Sequence, residues 1–215
     1  MNNFKLLLKK LLIFFLGLFT IQAGVAIFLQ VAIGADPFTI FTQGIAKTFN
    51  INVGNGNLLL SIIFTLIVIF IFKGLKQINI GTLIALIFAG VFINFINTII
   101  APLNLNSCPV IVKIFLTAFS CLIIAIGFSL EKATNLGVAP NDLFILLFTE
   151  KTNIQYKWIR IGIDLTFLIV GFLLCGIDTF GSTVGIGTII NALIQGPMIQ
   201  FFMHRIDNLV KPFIS

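Results

Sequence analysis

Six apolar runs, at about 11–33, 55–73, 80–100, 110–130, 158–177 and 184–204, leave this chain few ways to fold. A hydrocarbon core about 30 Å thick takes roughly 20 helical residues to cross, so the runs count as crossings. Uninterrupted hydrophobicity of this kind is helical, because the strands of a spanning barrel alternate in character over about ten residues. Only 9% of the residues are charged, where a soluble domain carries about a quarter. Such a chain cannot clothe itself in polar surface. The expectation is an all-α membrane protein of six transmembrane helices. The second run is short and borrows flanking residues such as Val53 and Gly56. The first run is too long for the apolar region of a signal peptide, and a second span follows it, so it is expected to be retained as a helix.

The charges define topology. With the N-terminus inside, the inner segments hold eleven of the thirteen Lys and Arg residues, leaving Lys47 and Lys113 on the outer side. That bias places both termini in the cytoplasm. The net charge of +6 does not point to nucleic acid, because the basic residues are scattered singly and form no patch. Tyr156 and Trp158 fall where an interfacial aromatic anchor is expected. Cys108, Cys121 and Cys175 lack metal-type spacing and are read as small apolar filler.

Two connections break the pattern. Gly34-Ala35-Asp36-Pro37 follows the first run and Gly137-Val138-Ala139-Pro140 the fourth, each leading into a stretch too short to cross a bilayer. Proline is tolerated in the first helical turn, so each motif predicts a break followed by a short helix. Gly34 to Gly137, Pro37 to Pro140 and Gly24 to Gly127 share an offset of 103 residues. Gly81-Thr82 to Gly187-Thr188 and Gly90 to Gly196 share 106, the slip fitting an insertion around Gly181. This periodicity divides the chain into repeats 1–103 and 104–215. Each holds three spans, an odd number, so the second must enter the membrane with opposite polarity. Inverted repeats recur in secondary transporters, where Gly/Pro-interrupted segments at equivalent positions mark the substrate region.

A Gly-x-x-Pro, a short helix, two spans and a later Gly-Thr resemble the YczE/YitT-type family of small bacterial membrane proteins. The likeness covers nearly the whole chain and is carried by Gly34, Pro37, Gly81, Thr82, Gly137, Pro140, Asp142, Gly187, Thr188, Asn191 and Gly196. The family's usual Pro-aromatic-Asp is split here, since Phe38 lacks a following Asp and Pro140-Asn141-Asp142 lacks the aromatic. The resemblance implies a bacterial cytoplasmic-membrane location and no particular substrate.

Asp164 is the sharpest chemical candidate, seven residues into a span from Lys157. A carboxylate there should face the bundle interior or a hydrated cavity. It serves either as a coupling or ligand-binding group, or as a static partner of Arg160 one turn away, both snorkelling toward the cytoplasm. Gly81, Ala85 and Ala89 form a small-residue stripe suited to close helix approach. The equivalent positions of the sixth span are Gly187, Asn191 and Gln195, and Asn94 pairs with Gln200 across the repeat. Asn191, Gln195, Asn94 and Gln22 therefore join Asp164 as candidates for a polar pathway, or bond across helices as glue. Gly34, Asp36, Pro37, Gly137, Pro140 and Asp142 are candidate gates, with Asp36 and Asp142 alternatively favouring helix N-termini.

The only histidine, His204, sits beside Arg205 at the end of the last span, which excludes a catalytic triad or a multi-histidine metal site. Gly185-Ile186-Gly187 lacks the strand and third glycine of a dinucleotide site. No enzyme activity, cofactor or metal is expected. The leading expectation is a small secondary transporter for a polar or amphipathic solute. The alternatives are a substrate-binding membrane subunit of an energy-coupled uptake system and an accessory membrane protein. Beyond the lipid bilayer and the solute, a second copy is the expected partner, since six short helices give little wall for a pathway.

Overall fold

A computed structural model describes residues 2–51, 53–73, 75–176 and 184–214. Among them run eight α-helices: α1 (Asn2–Val31), α2 (Pro37–Thr48), α3 (Val53–Phe70), α4 (Ile80–Ile100), α5 (Val110–Ala133), α6 (Pro140–Thr152), α7 (Tyr156–Cys175) and α8 (Ile186–Ile214). Five of them, α1, α4, α5, α7 and α8, are long and apolar enough to cross a membrane. The run expected over 55–73 forms α3, an apolar helix that opens on Val53 and ends at Phe70. The loop around Gly181, where the repeat offset slips, lies outside the described residues.

The last helix outruns the apolar pattern. The sequence puts its end near 204, but α8 continues to Ile214. Ile206, Val210 and Ile214 recur at helical spacing, and this stripe packs on Ala133 of α5 with Leu6 and Ile13 of α1. Lys132 and Lys211 flank Asp207 at 3.6 and 3.5 Å on the outer face of the extension.

Lipid offers little hydrophobic drive between helices, so close approach of backbones does much of the packing. α1 lies along α5, α4 lies against α1, and α8 against α5. At the first crossing a methyl group on Gly24 would stand 2.8 Å from the Ser120 carbonyl oxygen, and one on Gly127 would stand 2.7 Å from that of Gly17. The expected Gly81 stripe also packs closely: a methyl there would meet the Leu136 oxygen at 2.6 Å, and Ala85 is buried with Phe14 and Leu18. A methyl on Gly90 would meet nothing within 4 Å beyond its own helix among the described residues, whereas one on Gly196 would press against Arg160 and the Lys157 carbonyl, so this offset pair does not share an environment.

Both predicted breaks are present, each followed by its short helix. Gly34 and Gly137 have φ of 141° and 107°, a region that side chains with a Cβ rarely adopt, and Pro37 and Pro140 start α2 and α6. Each break docks on the start of a long helix in the other half of the chain. The Gly187 N–H donates to the Ile33 carbonyl at 2.9 Å, and the Gly81 N–H to the Leu136 carbonyl at 2.7 Å. The two short helices are exchanged in the same way, α2 lying on α7 and α6 on α3. At the α2–α7 contact, a methyl on Gly171 would come within 2.6 Å of the Phe41 nitrogen.

Candidate functional site

The two breaks face a cavity of about 140 Å³. Its wall takes Ile21, Val25 and Phe28 from α1, Phe38 from α2, Ile124 and Phe128 from α5, and Ile199 from α8. The polar lining is Asp36, Asn141, Asp142, Arg160, Asn191 and Gln195. Every long helix except α4, and both short helices, contribute.

Asp36 and Asp142 take different places because their helices start differently. Asp36 is the N-cap of α2, its Oδ1 accepting the Thr39 N–H at 3.0 Å. Capping of this sort satisfies one of the orphan donors of a first turn. The N-cap of α6 is Ala139, which has no side chain to offer, and Asp142 sits one turn inside instead. From there it reaches Arg160 of α7, whose Nη1 donates to Asp142 Oδ1 at 2.8 Å. Arg160 Nε donates to Asp164 Oδ2 at 2.9 Å, and the Tyr156 hydroxyl lies 3.5 Å from Nη1. One guanidinium thus ties α6 to α7 through two charge-assisted hydrogen bonds.

The Arg160–Asp164 pairing that the sequence offers as one alternative is present, but not at the membrane surface. The two do not snorkel: Asp164 is 1% exposed and the Arg160 side chain 14%. Tyr156 is likewise no interfacial anchor. It is 4% exposed and packs on Phe128, while Trp158 is 59% exposed.

Among the amides, Asn191 and Gln195 line the cavity as a pair one turn apart on α8. Asn191 Nδ2 lies 3.7 Å from the Cys121 sulfur. Gln195 is 1% exposed, and neither its Oε1 nor its Nε2 has a hydrogen-bond partner among the described residues. Asn94 is on the exposed face of α4, and Gln22 is half-buried on α1 outside the lining. Gln200 caps α7, accepting the Lys157 N–H at 2.9 Å. His204 is exposed and lies 3.4 Å from Asn208. Cys121 and Cys175 are buried free thiols.

Two residues exceed what the pattern of the sequence conveys. Arg160 is the centre of the polar cluster, yet Asp142 lies 18 positions away on another helix, so helical spacing finds only Asp164. Glu131 is 2% exposed with Oε1 unpartnered among the described residues. Its neighbour Lys132 makes it look interfacial in the sequence, but the turn that follows folds back under α4, with Leu136 bonded to Gly81.

The sequence pattern of DUF6198, described as a family of unknown function, matches residues 8–204. The chain belongs to that family. It is similar to the uncharacterised membrane protein YczE of Bacillus subtilis, with 26% identity over 92% of this chain and 87% of that protein. An uncharacterised protein of Haemophilus influenzae is 26% identical over 94% of this chain and 86% of its own length. The uncharacterised protein YyaS of Bacillus subtilis is 23% identical over 92% and 94%. No solved structure matches the chain. Family, membrane character and the resemblance read from the Gly-x-x-Pro motifs therefore agree.

Proposed function

We propose that this membrane protein is a small secondary transporter whose solute pathway passes through the cavity between the two breaks. The observation that carries the reading is the unsatisfied Gln195 amide, facing a cavity that also holds Arg160 and the two break-associated acids. An amide buried without partners is costly, so its retention favours a ligand that completes it. In this reading residues 1–103 and 104–215 are inverted repeats, and α3 completes a set of six crossings. The exchanged docking of breaks and short helices supports that arrangement, because each half leans on the other through equivalent bonds. Lys and Arg bias keeps both termini cytoplasmic. The Pro37 and Pro140 breaks serve as gates, discontinuous helices being the usual sites of alternating access. Asp164 is the coupling group, held by Arg160 when the cavity is empty and released when a solute draws the guanidinium away from it.

The test is solute-driven proton flux in proteoliposomes, screened over small polar and amphipathic solutes, for the natural chain and Asp164→Asn. Flux that Asp164→Asn abolishes supports the assignment. A pH-dependent flux unaffected by that change removes Asp164 from the coupling role, and binding without any flux favours a substrate-capturing subunit instead.

A further inference from the structure

The charges around the cavity do not balance. Asp36 and Asp142 line it, Asp164 is bonded to a lining residue, and among the described residues Arg160 is the one basic side chain in the wall. Two helix N-termini also face it, since Asp36 caps α2 and Asn141 and Asp142 belong to the first turn of α6. Each N-terminus acts as roughly half a positive charge. Three carboxylates against one guanidinium and two such ends leave about one negative charge uncompensated. In a low-dielectric interior that charge is offset by a proton or by a cation, and the rest of the site favours a cation.

The rest of the wall narrows the kind. Phe28, Phe38 and Phe128 share the cavity wall with the acids, and aromatic faces attract cations, including quaternary ammonium groups. A bare metal ion would need several oxygen ligands, whereas Asp36 Oδ1 and Asp142 Oδ1 are already bonded to Thr39 and Arg160 and much of the remaining wall is hydrocarbon. The unpartnered Gln195 amide is an independent sign of a ligand, offering an acceptor to an N–H or O–H and a donor to a hydroxyl. A volume of about 140 Å³ is close to the roughly 150 Å³ that admits benzene, so the occupant has about six or seven non-hydrogen atoms.

We propose that the cavity binds a small organic monocation, an alkylammonium carrying one polar group that meets Gln195. This rests on reading the cavity as a solute site, but it does not require transport. The full-length protein in detergent is titrated with choline chloride and tetramethylammonium chloride, against sodium chloride and sodium acetate at matched ionic strength. The readouts are thermal stability and calorimetric binding. Choline is expected to bind at one site and raise the melting temperature, with tetramethylammonium weaker because it cannot engage Gln195.

Asp36→Asn and Gln195→Leu are each expected to weaken choline binding roughly tenfold or more, as removing a desolvated polar contact does. In case a variant fails to fold, the natural chain is treated with dicyclohexylcarbodiimide, and choline is expected to protect Asp36 and Asp142 in the peptide masses. Equal stabilisation by sodium chloride, tighter binding of acetate, or choline binding that leaves both aspartates unprotected overturns the proposal. Choline bound without choline uptake or choline-driven proton flux in proteoliposomes upholds the cation site and overturns the transporter reading, so the two fail separately.

Discussion

Thr82 and Thr188 occupy equivalent places and should respond differently to the same substitution. Both are buried at the start of a long helix, beneath Gly137 and Gly34 respectively. Thr188 Oγ1 donates to the Ala35 carbonyl at 2.7 Å, across 153 residues of sequence. Thr82 Oγ1 has no partner among the described residues. Valine keeps the shape of threonine and removes only the hydroxyl. At Thr188 this loses the bond to the break, of a kind that between transmembrane helices averages about 0.6 kcal/mol and reaches about 1.7, together with the bond that Oγ1 accepts from the Gly185 N–H at 3.3 Å. It also strands a buried carbonyl, which puts Thr188→Val near the top of that range, at about 1.5 kcal/mol. At Thr82 it removes an unsatisfied buried hydroxyl, for which the expected change is zero or a small gain. For a chain of this size 1 kcal/mol moves the melting temperature by about 2–4 °C, so Thr188→Val should lower it by about 3–6 °C. Thermal unfolding of the purified protein in detergent measures both. Equal losses for the two variants, or a larger loss for Thr82→Val, would refute the assignment of stability to the Ala35 bond.

Other substitutions probe the polar cluster and the helix contacts. Arg160→Met leaves Asp142 and Asp164 buried without their partner and should cost about 3–5 kcal/mol, seen as a drop in melting temperature; adding Asp142→Asn and Asp164→Asn should restore much of it. Gly171→Ala drives a methyl into the α2 backbone at Ile40 and Phe41 and should cost about 1–3 kcal/mol. On the same helix, Gly162→Ala meets nothing within 4 Å and should be neutral or stabilising by up to about 1 kcal/mol, both read by the same melts. Asp207→Asn removes two long, partly exposed ion pairs to Lys132 and Lys211 and should change stability by less than about 1 kcal/mol, the difference vanishing in high salt.

What the sequence made legible is what depends on near neighbours or on repetition. Unbroken apolar runs require helices, and Gly-x-x-Pro requires a break with a helix start, so both appear where the pattern puts them. Asn191 and Gln195 were separable from Ala85 and Ala89 by comparing equivalent positions, and they do face the cavity. What was not legible depends on contacts between distant segments. The bond between Arg160 and Asp142 joins two helices, and the burial of Tyr156 and Glu131 depends on how α5 and its following turn fold against their neighbours. Asn94 was a candidate by its repeat position alone, yet α4 presents it outward, because only the Gly81–Ala85 side of that helix meets α1. The end of α8 is not visible in the sequence, because its stripe of Ile206, Val210 and Ile214 is too thin to register as an apolar run.

The exchanged docking of the breaks has a consequence for how the chain is made. Gly34 and Ala35 find their seat on Gly185, Gly187 and Thr188, residues synthesised some 150 positions later. At a translation rate of roughly 5–20 residues per second, the first break waits about 8–30 s in the membrane with its carbonyls unseated. The second break waits for nothing, since α4 with Gly81 and Thr82 is already in place when Gly137 emerges. Assembly is therefore ordered, closing first at the Gly137 end and last at the Gly34 end.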